Sequence, residues 1–291
     1  MQNLIEFLLS NTGSILKSNT KTIITSKGSS ISNALTELWR SPALIRAFAS
    51  RDLYVRYAQT YLGFAWSIIQ PLFGLATLFV LFNKIAGIPT DGIPFLAFAL
   101  SGLIFWNYFN YVLSQSAGAI VAMQAMVKKI YLPRLSIPTA KALVGLVDYS
   151  VGLVLLIGTC LYYDISLKGL LFLPIILAGT AMGALGIGLT ISAISLRYRD
   201  LQQIIPFALQ LLFFLTPVAY PTSMLVSLLG KEWQWLVYLN PLAGMLELFR
   251  GFLFGTDFST MAWLSIIITP VLLFIGLLSF VKADKKMADI V

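Results

Sequence analysis

The sequence predicts an all-α integral membrane protein with six transmembrane helices. Of the 291 residues, 58% are hydrophobic and only 11% are charged, and the mean hydropathy of +0.85 is well outside the range of ordinary soluble proteins. A helix that crosses the hydrocarbon core of a bilayer needs roughly 20 mainly apolar residues. Six stretches meet this requirement, at about residues 62–82, 93–113, 142–162, 170–194, 201–220 and 261–281.

The basic residues indicate which side of the membrane each connection occupies. Sixteen of the 20 lysines and arginines lie before the first stretch, in the connections after the second and fourth stretches, or in the tail, residues 282–291. Cytoplasmic connections carry an excess of Lys and Arg, so we expect both termini in the cytoplasm. The net charge of +8 then reflects membrane topology, and we expect no nucleic-acid partner.

The region before the first stretch divides into two parts. Residues 1–40 form a polar arm rich in Ser, Thr, Asn and Lys, which we expect to be a partly disordered cytoplasmic extension. Residues 41–61 are expected to form an amphipathic interface helix, with Ser41 as its N-cap and Pro42 at its first position. The helix is basic and rich in tyrosine but runs directly into apolar sequence, so we expect it to lie at the membrane surface and then turn inward. Residues 62–281 form the six-helix domain.

The residues that are missing exclude several kinds of function. The chain has no histidine, the commonest catalytic base and metal ligand, and its single cysteine, Cys160, lies in an apolar run. No G-x-x-x-x-G-K-[ST] sequence occurs, so the chain has no Walker loop for a nucleotide. These absences argue against an enzyme, and we expect no cofactor on this chain. Few ionisable residues fall within apolar stretches, which argues against a carrier coupled to protons or sodium.

Three motifs together resemble the permease subunits of ABC-2 type polysaccharide exporters, the family that includes O-antigen, capsule and teichoic acid exporters. The first combines Arg56-Tyr57, Leu62-Gly63, Trp66 and Pro71 at the start of the first stretch. The second is the basic connection MVKKIYLPRLSIPT at residues 126–139, and the third is the Asn-Pro turn at 240–241. The resemblance covers about residues 38–291. It implies a homodimer that joins two copies of a separate ABC ATPase subunit, which binds ATP and Mg²⁺.

The resemblance also implies a coupling role for the connection at residues 126–139. In the family, a short helix in this loop presses into a cleft of the ATPase. Two prolines five residues apart suit such a helix, because they stop any longer one. An ordinary cytoplasmic loop would explain the basic charges but not the proline spacing. The expected ATPase-coupling residues are Lys128, Lys129, Tyr131, Pro133 and Arg134.

The resemblance implies that a lipid-linked glycan enters beside the interface helix and passes along the first stretch. Sugars present C–H faces that stack on aromatic rings, although most aromatic residues of any membrane protein contact only lipid or neighbouring helices. The expected entrance and channel residues are Arg51, Arg56, Tyr57, Trp66 and Phe73.

The resemblance implies that the apolar patch at residues 242–254 forms an external gate, which lies between the last two spans in the family. The patch covers only some 20 Å as a helix, so it cannot cross the bilayer and should dip in from outside as two short re-entrant helices. A plain external loop is the alternative. The expected gate residues are Asn240, Pro241, Glu247 and Arg250, of which Glu247 and Arg250 lie three apart and are placed to pair across one helical turn.

These observations favour an exporter that moves a lipid-linked polysaccharide out of the cytoplasm across the bacterial inner membrane. Two alternatives stay open at this point: a secondary flippase for lipid-linked sugars, which needs no ATPase, and a membrane enzyme that modifies glycolipids. The glycine pattern of the fourth stretch, Gly179-x-x-x-Gly183, also allows two interpretations: close packing within one subunit, or a dimer seam.

Overall fold

The structure is a computed structural model that describes residues 30–58, 60–122, 132–198 and 200–290. These ranges contain helices, turns and loops but no β-strand, which confirms the predicted all-α class. We number the helices in chain order as α1 (Ile31–Arg40), α2 (Pro42–Tyr57), α3 (Trp66–Leu78), α4 (Phe95–Ala117), α5 (Ser136–Tyr162), α6 (Leu173–Ser195), α7 (Leu201–Leu215), α8 (Thr222–Leu229), α9 (Gln234–Leu239), α10 (Pro241–Phe254) and α11 (Trp263–Ile290).

Five helical segments are long and apolar enough to cross a membrane, so the chain is a multi-pass membrane protein. Short 3₁₀ turns lengthen α3, α6 and α11 at their N-terminal ends, and a π-helical segment, Phe79–Ile85, continues α3. The five segments are Gly63–Ile85, Phe95–Ala117, Ser136–Tyr162, Leu167–Ser195 and Thr260–Asp284. They correspond to five of the six predicted stretches.

The remaining stretch, predicted at residues 201–220, is helical only as far as Leu215. At 15 residues, α7 spans about 22 Å. The helix ends there because Thr216 precedes Pro217, and a residue before proline is driven out of the α conformation. Thr216 accordingly has the extended angles φ −97° and ψ 132°. Residues 216–221 then run as a non-helical segment, which we call the α7 break.

The region before the first span is more structured than expected. The sequence analysis placed residues 1–40 in a polar arm, but residues 31–40 form α1, which packs Leu35 and Leu38 beside buried Phe280 of α11. Helix α2 begins at Pro42 as expected, although the Ser41 side chain makes no capping bond. It ends at Tyr57, four residues before the predicted boundary.

Helix α2 is docked on the start of α5. Its Phe48 is buried in a small apolar cluster with Leu132, which lies in the connection between α4 and α5, and with Ile137 of α5. Two ion pairs join the same two helices: Asp52 Oδ2 lies 2.8 Å from Lys141 Nζ, and Arg56 lies next to Asp148. Asp52 and Arg56 therefore attach α2 to α5.

The glycines of α6 allow close packing within this chain. A Cβ atom added to Gly179 or Gly183 would meet Met245 or Pro241 of α10, respectively. Further along α6, Gly186 lies against Gly276 of α11, where neither helix has room for a side chain. These contacts favour the interpretation of the pattern as packing within one subunit.

The core lies around α4, whereas α3 and α7 are covered least. Phe105 and Phe109 of α4 have no exposed surface. By contrast, only 17% of the most apolar part of Gly63–Ile85 is buried, compared with 78% of the corresponding part of α4. Helices α3 and α7 and the turn before α3 expose large aromatic side chains, among them Phe64, Phe73, Phe207 and Phe214.

Candidate functional site

A polar cavity of about 290 Å³ lies between the C-terminal end of α2, the start of α3 and the middle of α5. Its position follows from a sharp turn in the chain. Gly63 has φ +49°, a conformation that glycine adopts without a steric penalty, and it turns the chain from the end of α2 into α3. The lining residues are Arg56, Tyr57, Trp66, Ser67, Gln70 and Asp148.

Asp148 holds the two residues at the end of α2. Arg56 Nη2 lies 2.6 Å from Asp148 Oδ2, and the Tyr57 hydroxyl donates a hydrogen bond to Asp148 Oδ1. The Arg56 guanidinium also lies over the ring of Tyr111, 4.6 Å from its centroid. Burial, followed by the bond to Asp148, raises the pKa of Tyr57, so this phenol stays protonated at physiological pH and remains a donor.

The cavity is polar but carries no net charge. The Arg56 cation and the Asp148 anion cancel, and the other lining groups are a phenol, an indole, a hydroxyl and an amide. A site of this kind suits a ligand with several hydroxyl groups, which hydrogen-bonds to the polar groups and stacks on the indole ring.

The structure brings together three of the five predicted entrance and channel residues. Arg56, Tyr57 and Trp66 line the cavity, whereas Arg51 and Phe73 do not. Arg51 bonds to the neighbouring Asp52 at 2.9 Å, and the Phe73 side chain is 70% exposed on the outer face of α3.

Sequence reasoning missed three lining residues. Ser67 and Gln70 follow Trp66 by one and four positions, so the helical period of α3 could have linked Gln70 to Trp66. Asp148 is an isolated carboxylate in an apolar stretch of the sequence, and its two partners on α2 are 91 and 92 residues away.

The predicted gate residues cluster around α10. The patch forms one helix, Pro241–Phe254, and not two. Asn240 caps it, because its Oδ1 accepts a hydrogen bond from the Leu242 amide at 3.1 Å. The Asn240 side-chain amide also donates to Thr216 Oγ1 at 2.8 Å, and Pro241 occupies the first helical position.

The expected ion pair between Glu247 and Arg250 does not form; each finds partners outside α10. Glu247 accepts hydrogen bonds from the Tyr238 hydroxyl at 2.8 Å and the Ser259 amide at 2.7 Å. Arg250 donates to the backbone carbonyls of Pro217 and Val218, which lack helical partners because α7 has ended.

The predicted coupling connection is described only in part, since Lys128, Lys129 and Tyr131 lie outside the described residues. Pro133 and Arg134 lie in the turn that leads into α5. Arg134 forms an ion pair with Asp284 near the end of α11 and donates to the Asp284 carbonyl at 3.0 Å. The loop is thus bound to the last helix of the chain.

Comparison with known proteins shows which family this chain resembles. The model of the ABC-2 type transporter family matches residues 43–254. An O-antigen export system permease protein, RfbA, of Klebsiella pneumoniae is 26% identical over 253 residues, which cover 85% of this chain and 94% of the relative.

Two further relatives come from other bacteria. The O-antigen export permease RfbA of Myxococcus xanthus is 26% identical over 74% of this chain and 82% of its own length. The polysialic acid transport protein KpsM of Escherichia coli is 28% identical over 84% of this chain and 94% of its own length. Since the family model covers most of the chain and these relatives are named for transport, the chain belongs to the ABC-2 type transporter family as a transport permease and is not an enzyme.

Proposed function

We propose that this chain is the membrane-spanning subunit of an ATP-driven exporter that moves a lipid-linked polysaccharide from the cytoplasm across the bacterial inner membrane. The observation that carries the proposal is the similarity to O-antigen and polysialic acid export proteins, which extends over about 85% of the chain. The cavity supports it, because a polar site that carries no net charge and lies beside an aromatic ring suits a sugar.

ATP hydrolysis is assigned to a separate subunit. The chain contains no Walker loop, so ATP and Mg²⁺ bind to a partner ATPase, and two copies of that partner join two copies of this chain. The connection at residues 126–139 contacts the ATPase. The excess of Lys and Arg in this connection and near both ends of the chain supports a cytoplasmic position for them.

In this arrangement α7 is the sixth membrane segment and α2 is an interface helix. The α7 break and α8 complete the crossing that α7 begins, and α8–α10 form the external gate. The uncovered faces of α3 and α7 meet a second copy across a two-fold axis. Six helices cannot easily enclose a pore for a polymer, but two facing copies would line one with rings that include Phe73 and Phe214.

Transport begins at the cavity in this mechanism. The glycan head of the lipid-linked substrate enters beside α2, where a sugar ring stacks on Trp66 and bonds to Gln70 and to the Arg56–Asp148 pair. The ATPase then acts on the coupling connection and moves the glycan outward between the two copies. A secondary flippase would need none of these ATPase contacts.

Purification of the tagged chain from mild detergent tests the partnership. We expect an ATPase polypeptide with a Walker sequence to co-purify in a one-to-one ratio, and the complex to hydrolyse ATP. Glycan movement by the reconstituted chain alone, with no ATPase present, would favour the flippase and contradict the proposal.

A further inference from the structure

The α7 break is enclosed entirely by protein. Every residue from 216 to 221 is buried, and the exposed fractions are 0% for Thr216, 1% for Val218 and 2% for Ala219. Non-helical backbone at membrane depth is tolerated only where protein or water satisfies its polar groups. The hydrogen-bond partners of the break therefore decide whether this conformation persists.

Arg250 of α10 provides the partners of two carbonyls in the break. Its Nη1 donates to the Pro217 carbonyl at 2.6 Å and its Nη2 to the Val218 carbonyl at 2.5 Å. Two further side-chain hydrogen bonds hold the segment: the Tyr220 hydroxyl donates to the Phe214 carbonyl at 2.5 Å, and the Asn240 amide donates to Thr216 Oγ1 at 2.8 Å.

The same guanidinium also reaches the first turns of α4. Arg250 Nε donates to Ser101 Oγ and Nη2 donates to the Phe98 carbonyl, both at 3.1 Å, while the Phe98 ring lies 3.7 Å from the guanidinium carbon. One side chain thus joins α10, the α7 break and α4. Only a planar fork with five N–H donors can bond in so many directions at once.

The charge of Arg250 is stabilised by neighbouring dipoles without a direct ion pair. The residue is 4% exposed, and among the described carboxylates none lies within 4.0 Å of its nitrogens; Glu247 acts on it only through a longer-range Coulombic attraction. Burying a charge without a direct ion pair is costly, and charges retained at such depth generally serve function.

Helix α4 packs tightly against Arg250 and the α7 break at Gly102. A Cβ atom on Gly102 of α4 would collide with the Val218 carbonyl and would lie 2.6 Å from Arg250 Nη2. A methyl group at position 102 therefore displaces the bonds between Arg250 and the break without changing Arg250 itself.

We propose that Arg250 is a positioning residue of the transport cycle, which holds the α7 break in its resting conformation and thereby keeps the outer end of the export pathway closed. This inference rests on the proposed function, in which α7 borders the pathway and residues 216–221 form its outer end. Transport would require Arg250 to release the carbonyls of Pro217 and Val218. The break then rearranges and the outer end opens.

Leakage of a trapped dye from proteoliposomes tests this role of Arg250, and the assay needs no glycan. The complex of the chain with its ATPase is reconstituted around a small trapped dye, calcein, and release is followed without ATP. We expect the wild-type complex to retain the dye. Arg250→Lys keeps the charge but loses the fork, and should leak roughly tenfold faster or more. Gly102→Ala should leak as well, and Tyr220→Phe to a smaller extent.

Arg197→Lys is the matched control, since Arg197 is exposed and its side chain lies over the Tyr198 ring, away from the α7 break. It should remain as tight as the wild type. If Arg250→Lys fails to assemble, Gly102→Ala and Tyr220→Phe decide the question. If the assembled variants retain the dye as well as the wild type does, the proposed role of Arg250 is wrong, even if glycan export is established. Leaky variants support it even if the exported substrate is not a polysaccharide.

Discussion

Replacement of Asp148 by Asn is expected to reduce glycan export at least about tenfold. The change removes the carboxylate that pairs with Arg56 and leaves that guanidinium without its ion-pair partner in the cavity wall. Breaking a fully buried ion pair costs about 3–5 kcal/mol. The two side chains are 30% and 23% exposed, so we expect a smaller cost, about 1.5–3 kcal/mol, and each 1.4 kcal/mol corresponds to a factor of ten.

Export by membrane vesicles that contain the chain and its ATPase measures this effect. Asp52→Asn is the matched control, because it breaks the Asp52–Lys141 pair, which joins the same two helices but lies outside the cavity. Export by the control should stay close to the wild-type rate. The double variant Arg56→Gln with Asp148→Asn should lose less than the sum of the single variants. Equal losses for Asp148→Asn and Asp52→Asn would show that the Arg56–Asp148 pair serves only to attach α2.

The combination of Lys128→Glu and Arg134→Glu is expected to abolish export while ATP hydrolysis continues. Both changes reverse the charge of the connection that we assign to the ATPase contact, and like charges at an interface oppose association. ATPase rate and glycan export are measured on the same reconstituted complex, and its size is checked by gel filtration. Normal export by this double variant would contradict the coupling assignment.

The ion pair between Arg134 and Asp284 allows a sharper control. Arg134→Glu places two carboxylates together, and Asp284→Arg added to it restores an ion pair with reversed polarity. We expect this exchange to restore the link between the connection and α11 but not ATP-driven export. Full recovery of export would mean that Arg134 acts through Asp284 and does not itself contact the ATPase.

The features that the sequence predicted are those that depend on neighbouring residues. The lengths of the apolar stretches predicted six membrane-spanning segments, five of which the described residues contain, and Ser41-Pro42 predicted the start of α2. Pro217 marks in the sequence the break that ends α7 at Leu215. The sequence could not show that the carbonyls freed there bond to Arg250, more than 30 residues later. In the same way, composition could not show that Asp148 bonds to Arg56 and Tyr57, because only the docking of α2 on α5 brings them together.

The location of the lipid-linked glycan in a strain that lacks this chain tests the central claim most directly. The account predicts that a long polymer accumulates on the cytoplasmic face of the inner membrane and that none reaches the cell surface. The chemistry of the trapped polymer would also identify the substrate. Polymer that still reaches the surface, or polymer that is no longer synthesised at all, would contradict the assignment of this chain as the export permease.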